Sequence, residues 1–190
     1  MKRLPTRPSL EHLRKQAKDL LALYGRHHPD AHGRIREALP AARGKTDAAI
    51  AGLSLRLHDM QSCIAREHGF PSWTDLKSFV EASAAHDSGA AAPGWLRLVY
   101  AADIAGGVNR ERPSVAARML DENPGSVGGD PYVACAVGDE AALREATRGD
   151  AAWVNRPGGP FNLPPLVAVT HSTLVRQPAF RERLHACARL

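Results

Sequence analysis

The sequence predicts an all-α protein, and three observations support this class. Alanine is abundant and aromatic residues make up only 5% of the chain, a balance that favours helices packed through small side chains over β-sheets. Apolar residues recur at helical spacing in several segments. In the second half, successive helix pairs begin about 34 residues apart, which is typical of helical repeats. We therefore expect an N-terminal helical module followed by a solenoid of stacked helix pairs.

Two helices are expected near the N-terminus. The first begins at Ser9 and stops near Gly25, and its buried face carries Leu10, Leu13, Ala17, Leu20, Leu21 and Tyr24. The second runs from Pro29 to Leu39, because Pro40 cannot continue it.

Residues 54–82 predict two helices joined by a tight turn. Gly69 follows the apolar stripe of the first helix, at the place where a left-handed residue ends a helix. Ser72 then begins the second helix, with Asp75 three residues later as a weaker form of the capping box.

The chain is expected to have two parts. The helical module covers 1–82, a small and polar linker covers 83–94, and about three helix pairs fill 95–190. First helices are predicted near Leu96, Pro131 and Pro165, and second helices near Ser114, Asp139 and Ala179.

Several segments resemble bacterial ankyrin-repeat proteins that carry an N-terminal helical region. The segments at 13–21 and 64–73, the latter with Gly-Phe-Pro-Ser-Trp, are similar to that region. In the second half, the run 134–139 resembles the small-residue stretch and turn of an ankyrin unit, and Val154-Asn155 resembles its close. Residues 164–167 fall where ankyrin units have Thr-Pro-Leu-His, but here Thr and His are both missing, which implies looser turns.

The resemblance implies a protein–protein interaction module of ankyrin type without catalytic activity. Within it, Trp153 and Phe161 are the aromatics expected to contact a partner, because both lie in or beside the long loop. Arg148 and Arg156 flank that loop and would suit an acidic partner.

The alternative function is a nucleic-acid-binding regulator that uses a helix-turn-helix-like segment at 54–82. Arg56, Arg66 and Lys77 supply its positive charge. A recognition helix reads bases mainly through its N-terminal residues, and Asp75 at that position would repel phosphates. We therefore favour a packing hairpin over a DNA-reading one.

Catalytic, metal and cofactor sites are not predicted. His27, His28, Asp30 and His32 are close in sequence, but no cysteine lies nearby and the segment reads as a solvated loop. The chain lacks the sequence motifs of serine hydrolases, P-loop NTPases and HExxH metalloproteases.

Composition and chain ends predict the surroundings of the protein. The net charge of +5 is spread along the chain and permits nucleic-acid contact without indicating it. Cys63, Cys135 and Cys187 are far apart, which predicts reduced thiols. No run is apolar enough for a membrane span, so a cytoplasmic location is expected.

The last helix has an apolar stripe that no capping repeat follows. This stripe consists of Phe180, Leu184, Cys187 and Ala188. Further repeats beyond Leu190, a partner or a second copy of the chain are therefore expected to cover it.

Overall fold

A computed structural model describes residues 2–87, 91–106, 110–125 and 130–190. Regular secondary structure in these residues is helical, apart from one antiparallel β-bridge between Gly158 and Leu163. The predicted all-α class is therefore confirmed. The chain divides into two compact units, Met1–Val80 and Glu81–Leu190. No helix in the described part of the chain is long and apolar enough to cross a membrane.

The first unit consists of short helices that follow the predicted order. They are α1 (Leu10–Gly25), α2 (Pro29–Ala38), α3 (Asp47–Ala51), α4 (Leu57–Glu67) and the larger part of α5 (Trp73–Asp87), with a 3₁₀ turn at Pro40–Ala42. Ser9 caps α1 by accepting a hydrogen bond from the backbone N–H of His12 at 3.3 Å. Helix α4 begins three residues later than predicted, where the carboxylate of Asp59 accepts a hydrogen bond from the Arg56 amide at 2.8 Å.

The turn between α4 and α5 has the predicted geometry. Gly69 adopts a φ of +78°, and the amide of Phe70 donates to the Ala65 carbonyl at 2.9 Å, as in a Schellman ending. The Ser72 hydroxyl accepts a hydrogen bond from the amide of Asp75 at 3.2 Å. The Phe70 ring then packs edge-on against Phe79, with ring centroids 5.2 Å apart.

The core of the first unit forms where α1 and α2 pack against α4. Tyr24, buried on α1, donates its hydroxyl to the Ile50 carbonyl at 3.1 Å and so fixes the end of α3. At the other end of α4, Glu67 forms ion pairs with Arg34 and Lys2, each at 2.6 Å. Burial raises the pKa of Glu67, but hydrogen bonds from Arg34 and Lys2 outweigh it and hold the pKa below its usual value.

The second unit contains helix pairs at the predicted places. Its helices are α6 (Ala91–Val99), α7 (Ala102–Ala105), α8 (Pro113–Glu122), α9 (Pro131–Val137), α10 (Glu140–Gly149), α11 (Pro165–Thr170) and α12 (Pro178–Cys187), with 3₁₀ turns at Ala151–Asn155 and Thr173–Arg176. Part of the predicted linker is helical, because 83–87 belong to α5 and 91–94 to α6. Residues 88–90 lie outside the described residues.

Gly138 is the turn residue between α9 and α10. Its φ of +72° ends α9 in the left-handed conformation, and Asp139 then caps α10 by accepting from the Ala142 amide at 3.1 Å. A Cβ at Gly138 would lie 2.8 Å from the backbone nitrogen of Leu184. Glycine therefore permits both the turn and the close approach of α12.

Three hydrogen bonds from buried side chains connect helix pairs that are distant in sequence. The hydroxyl of Tyr100 donates to the Ala168 carbonyl at 2.8 Å, and that of Ser172 donates to the Ala136 carbonyl at 2.6 Å. The Thr173 hydroxyl donates to the Val99 carbonyl. The third pair thus contacts the first as well as the second, whereas in a linear array each unit contacts only its neighbours.

Helix α12 buries three of the four side chains of the apolar stripe that we expected to be uncovered, while Ala188, just after the helix, is exposed. Phe180, Leu184 and Cys187 are all buried, and α12 packs against α9, α10 and α11 of the same unit. The expectation that a partner or a second copy must cover these three side chains is therefore wrong, because the unit covers them itself.

Replacing Tyr100 by Phe tests the connection between the first and third pairs. The substitution keeps the ring but deprives the buried Ala168 carbonyl of its donor, so we expect a loss of about 1–3 kcal/mol in the free energy of unfolding. Urea denaturation followed by circular dichroism would measure it. Tyr132→Phe is the control, because the Tyr132 hydroxyl donates to no described residue. Equal losses in the two variants would contradict the structural role of the Tyr100 hydroxyl.

Candidate interaction site

Residues 151–166, which follow α10 and include the first two residues of α11, form a folded hairpin on the second unit, and we call them the hairpin surface. Its 3₁₀ turn packs against α11. The β-bridge holds its tip, since the amides of Gly158 and Leu163 each donate to the other's carbonyl, at 3.1 and 2.9 Å. The sequence indicated only a long loop here, whereas the structure shows a fixed one.

Asp150 fixes the base of the hairpin surface. One carboxylate oxygen accepts a hydrogen bond from the Ala152 amide at 3.0 Å, and the other pairs with the Arg156 guanidinium at 2.7 Å. Asp150, just before the segment, is thereby bonded to Arg156 within it, which restricts the conformations of the loop.

The ring of Tyr132, on α9, packs against the hairpin. It lies against the backbone of Gly158 and Gly159, so closely that a Cβ built on either glycine would overlap the ring. Gly159 also has a φ of +68°, which disfavours any other residue. The glycine pair therefore provides the space in which an aromatic ring packs, and we call it the ring seat.

Both aromatics predicted to contact a partner are half-buried. The Trp153 ring lies beside Tyr132, with centroids 6.5 Å apart. The Phe161 ring packs edge-on against Tyr100 at 6.2 Å, and the guanidinium of Arg97 lies 5.4 Å from its centroid. Each ring is thus anchored to the helices while part of it remains accessible.

The two arginines predicted beside them have acidic partners within the chain. Arg148 forms an ion pair with Glu145 on the same helix, and Arg156 pairs with Asp150. Both side chains are exposed. Because these charges are already compensated, their attraction for an acidic partner is weaker than the sequence suggested.

Leu166 is a candidate contact residue that our sequence reasoning missed. Its side chain is 45% exposed, and among the described residues only Leu190 is another large hydrophobic residue with comparable exposure. Helix α11 buries Pro165, Ala168 and Val169, which leaves Leu166 on the opposite face. The six residues of 165–170 are too few for helical periodicity alone to show which face is buried.

Of the three cations of the alternative, DNA-binding interpretation, Arg56 and Arg66 lie at opposite ends of α4. Arg56 precedes α4 and Arg66 lies in its last turn, so they are separated by about 15 Å along the helix. Arg66 donates to the Ala38 carbonyl at the end of α2. Lys77 lies on α5. In the first turn of that helix, the carboxylate of Asp75 accepts a hydrogen bond from the Ser72 hydroxyl.

The histidine-rich segment is a solvated loop only in part, since His27 and His28 are exposed in the turn before α2. His32 lies on α2 and is only 3% exposed, with its Nδ1 3.9 Å from Asp47. Within the described ranges, no group of three or more His, Cys, Asp or Glu side chains could hold a metal ion.

All three cysteines are unpaired and buried. Burial raises the pKa of the Cys63 and Cys135 thiols to about 12 and raises that of Cys187 as well. These thiols therefore stay protonated near neutral pH, and protonated thiols are poor nucleophiles and poor metal ligands.

Comparison with known proteins identifies no relative. No protein-family model matches the chain, and no curated protein and no solved structure is detectably similar to it.

The seat for Tyr132 gives a direct test of how the hairpin surface is held. Gly159→Ala introduces an unfavourable φ and a clash with the ring, so we expect a loss of about 2–4 kcal/mol in the free energy of unfolding. Gly149→Ala is the matched control, since no atom lies within 4 Å of the added methyl group. Urea titration of both variants would show the difference, and similar stabilities would refute the assigned role of Gly159.

Proposed function

We propose that the Glu81–Leu190 unit is a protein–protein interaction module of ankyrin type and that its partner binds the hairpin surface. The observation that carries the proposal is the exposed Leu166 at the end of a hairpin whose two aromatics, Trp153 and Phe161, are half-buried. Interfaces gain most of their binding energy from a few anchored aromatic and apolar side chains of this kind.

The rigidity of the hairpin surface supports a binding role. The β-bridge, the Asp150–Arg156 ion pair and the ring of Tyr132 restrain the segment before any partner arrives. A restrained loop loses less conformational entropy on binding than a mobile one, so more of the contact energy appears as affinity.

The ankyrin assignment rests on the order of helix pairs and the resemblance of its turns. Pairs α9–α10 and α11–α12 pack side by side, and Gly138 turns the first of them. The contacts between the first and third pairs make the arrangement more closed than a linear stack. We therefore place the partner on the hairpin surface instead of along an extended concave face.

The proposal includes no catalytic role. The thiols of the second unit are protonated, and its most buried phenol, Tyr100, donates to a backbone carbonyl. Three buried, unpaired cysteines fit a reducing compartment, so a cytoplasmic location belongs to the same proposal.

Affinity capture with the full chain as bait tests the proposal. Leu166→Ala should reduce the recovery of a specifically bound protein about tenfold, the effect of losing about 1.4 kcal/mol of binding free energy. Trp153→Ala should have a comparably large effect. Arg156→Glu should also weaken capture, because its carboxylate repels Asp150 and releases the base of the hairpin surface.

Leu190→Ala is the matched control, because it removes the other exposed large hydrophobic side chain, which lies outside the hairpin surface. Thermal melting followed by circular dichroism would verify that each variant is folded. A partner lost equally from the Leu166 and Leu190 variants, or from neither, would contradict the assignment of the hairpin surface.

A further inference from the structure

The net positive charge of the protein comes from the first unit. Residues 1–80 contain 14 Lys and Arg but 8 Asp and Glu, whereas residues 81–190 contain 11 and 12. All five lysines lie in the first unit. The charge that looked evenly spread along the sequence therefore belongs to one of the two folded bodies.

Three exposed cations of this unit lie on, or are bonded to, the segment that begins at the end of α2 and leads to α3. Arg43 and Lys45 are exposed on either side of Gly44, and the exposed Arg66 of α4 donates its guanidinium to the carbonyl of Ala38, five residues before Arg43, at 3.2 Å. We call Arg43, Lys45 and Arg66 the basic turn. None of the three forms an ion pair with another described residue.

The backbone of the basic turn is held in place. The Lys45 amide donates to the Ala42 carbonyl at 3.1 Å, and Arg36 donates to the Lys45 carbonyl at 2.8 Å. Arg36 also pairs with Asp47, so this acid is already neutralised. Around Gly44, whose φ is +73°, no atom lies within 4 Å of the position that a Cβ would take. Arg43 and Lys45 are thus exposed on a backbone that hydrogen bonds hold in place.

We infer that the basic turn binds the phosphate backbone of nucleic acid. A phosphate backbone is bound mainly by exposed Lys and Arg and requires no apolar contact. Stable anchoring to a membrane combines such charge with an apolar or lipid anchor, and protein interfaces gain most of their binding energy from anchored aromatic and apolar side chains. In the described part of the first unit no large hydrophobic residue is exposed, since Leu166 and Leu190 both belong to the second.

This site differs from a helix-turn-helix reader in position and in kind. It contains Arg66 but neither Arg56 nor Lys77, and it lies at the α2–α3 turn instead of the first turn of α5. Contacts made by cations to phosphates carry no sequence information, so the binding is independent of base sequence.

Fluorescence anisotropy with the full chain and a 20-bp duplex tests the inference. With three phosphate contacts, affinity should fall about 40-fold between 50 and 200 mM KCl. Arg43→Gln/Lys45→Gln/Arg66→Gln should abolish most of this salt dependence. The double variant Arg43→Gln/Lys45→Gln keeps the hydrogen bond from Arg66 to Ala38. It should remove about two-thirds of the salt dependence of duplex binding. If the triple variant does not fold, the double variant tests the inference in its place.

The matched control is Arg14→Gln/Lys15→Gln/Lys18→Gln, which removes the same charge from exposed positions on α1 of the same unit. We expect it to retain the salt dependence of the unaltered chain. Equal losses in the two triple variants would show a diffuse charge effect and overturn the site. Absence of salt-dependent duplex binding, or binding to phosphatidylserine vesicles in place of the duplex, would overturn the inference.

Discussion

The helices of the Glu81–Leu190 unit that lie wholly within it have four to ten residues each, and helices of that length are marginal in water by themselves. Their persistence depends on burying apolar faces against one another. Trp95 shows this dependence, since it is fully buried and its indole N–H donates to the Ala116 carbonyl on α8 at 3.0 Å. Packing also holds the aromatic rings of the hairpin surface in place, because Tyr100 contacts Phe161 and Tyr132 contacts Trp153.

Much of this architecture could be predicted from local sequence. Proline at the first position of α8, α9, α11 and α12, and glycine after α9, mark helix ends by backbone geometry alone. The contacts of Ser172 and Thr173 with Ala136 and Val99 could not be predicted, because hydroxyl groups give no periodic signal and their acceptors lie 36 and 74 residues away. The closed arrangement of pairs follows from those contacts.

The sequence indicated a long loop containing Trp153 and Phe161 but not how that loop is folded. The ring seat depends on Tyr132, which is distant in sequence and therefore could not be connected to the loop beforehand. Leu166 was missed because a six-residue helix offers little periodicity. Division of the chain into two units also separates the two surfaces that we propose: the hairpin surface on the near-neutral second unit, and the basic turn on the basic first unit.

Native-state hydrogen exchange on the full chain tests mutual burial most directly. If the helix pairs stabilise one another, backbone amides in α6, α9 and α11 should exchange through one opening, with a common free energy and a common dependence on denaturant. Exchange of α11 and α12 at a free energy several kcal/mol lower, while α6 and α8 stay protected, would contradict the account.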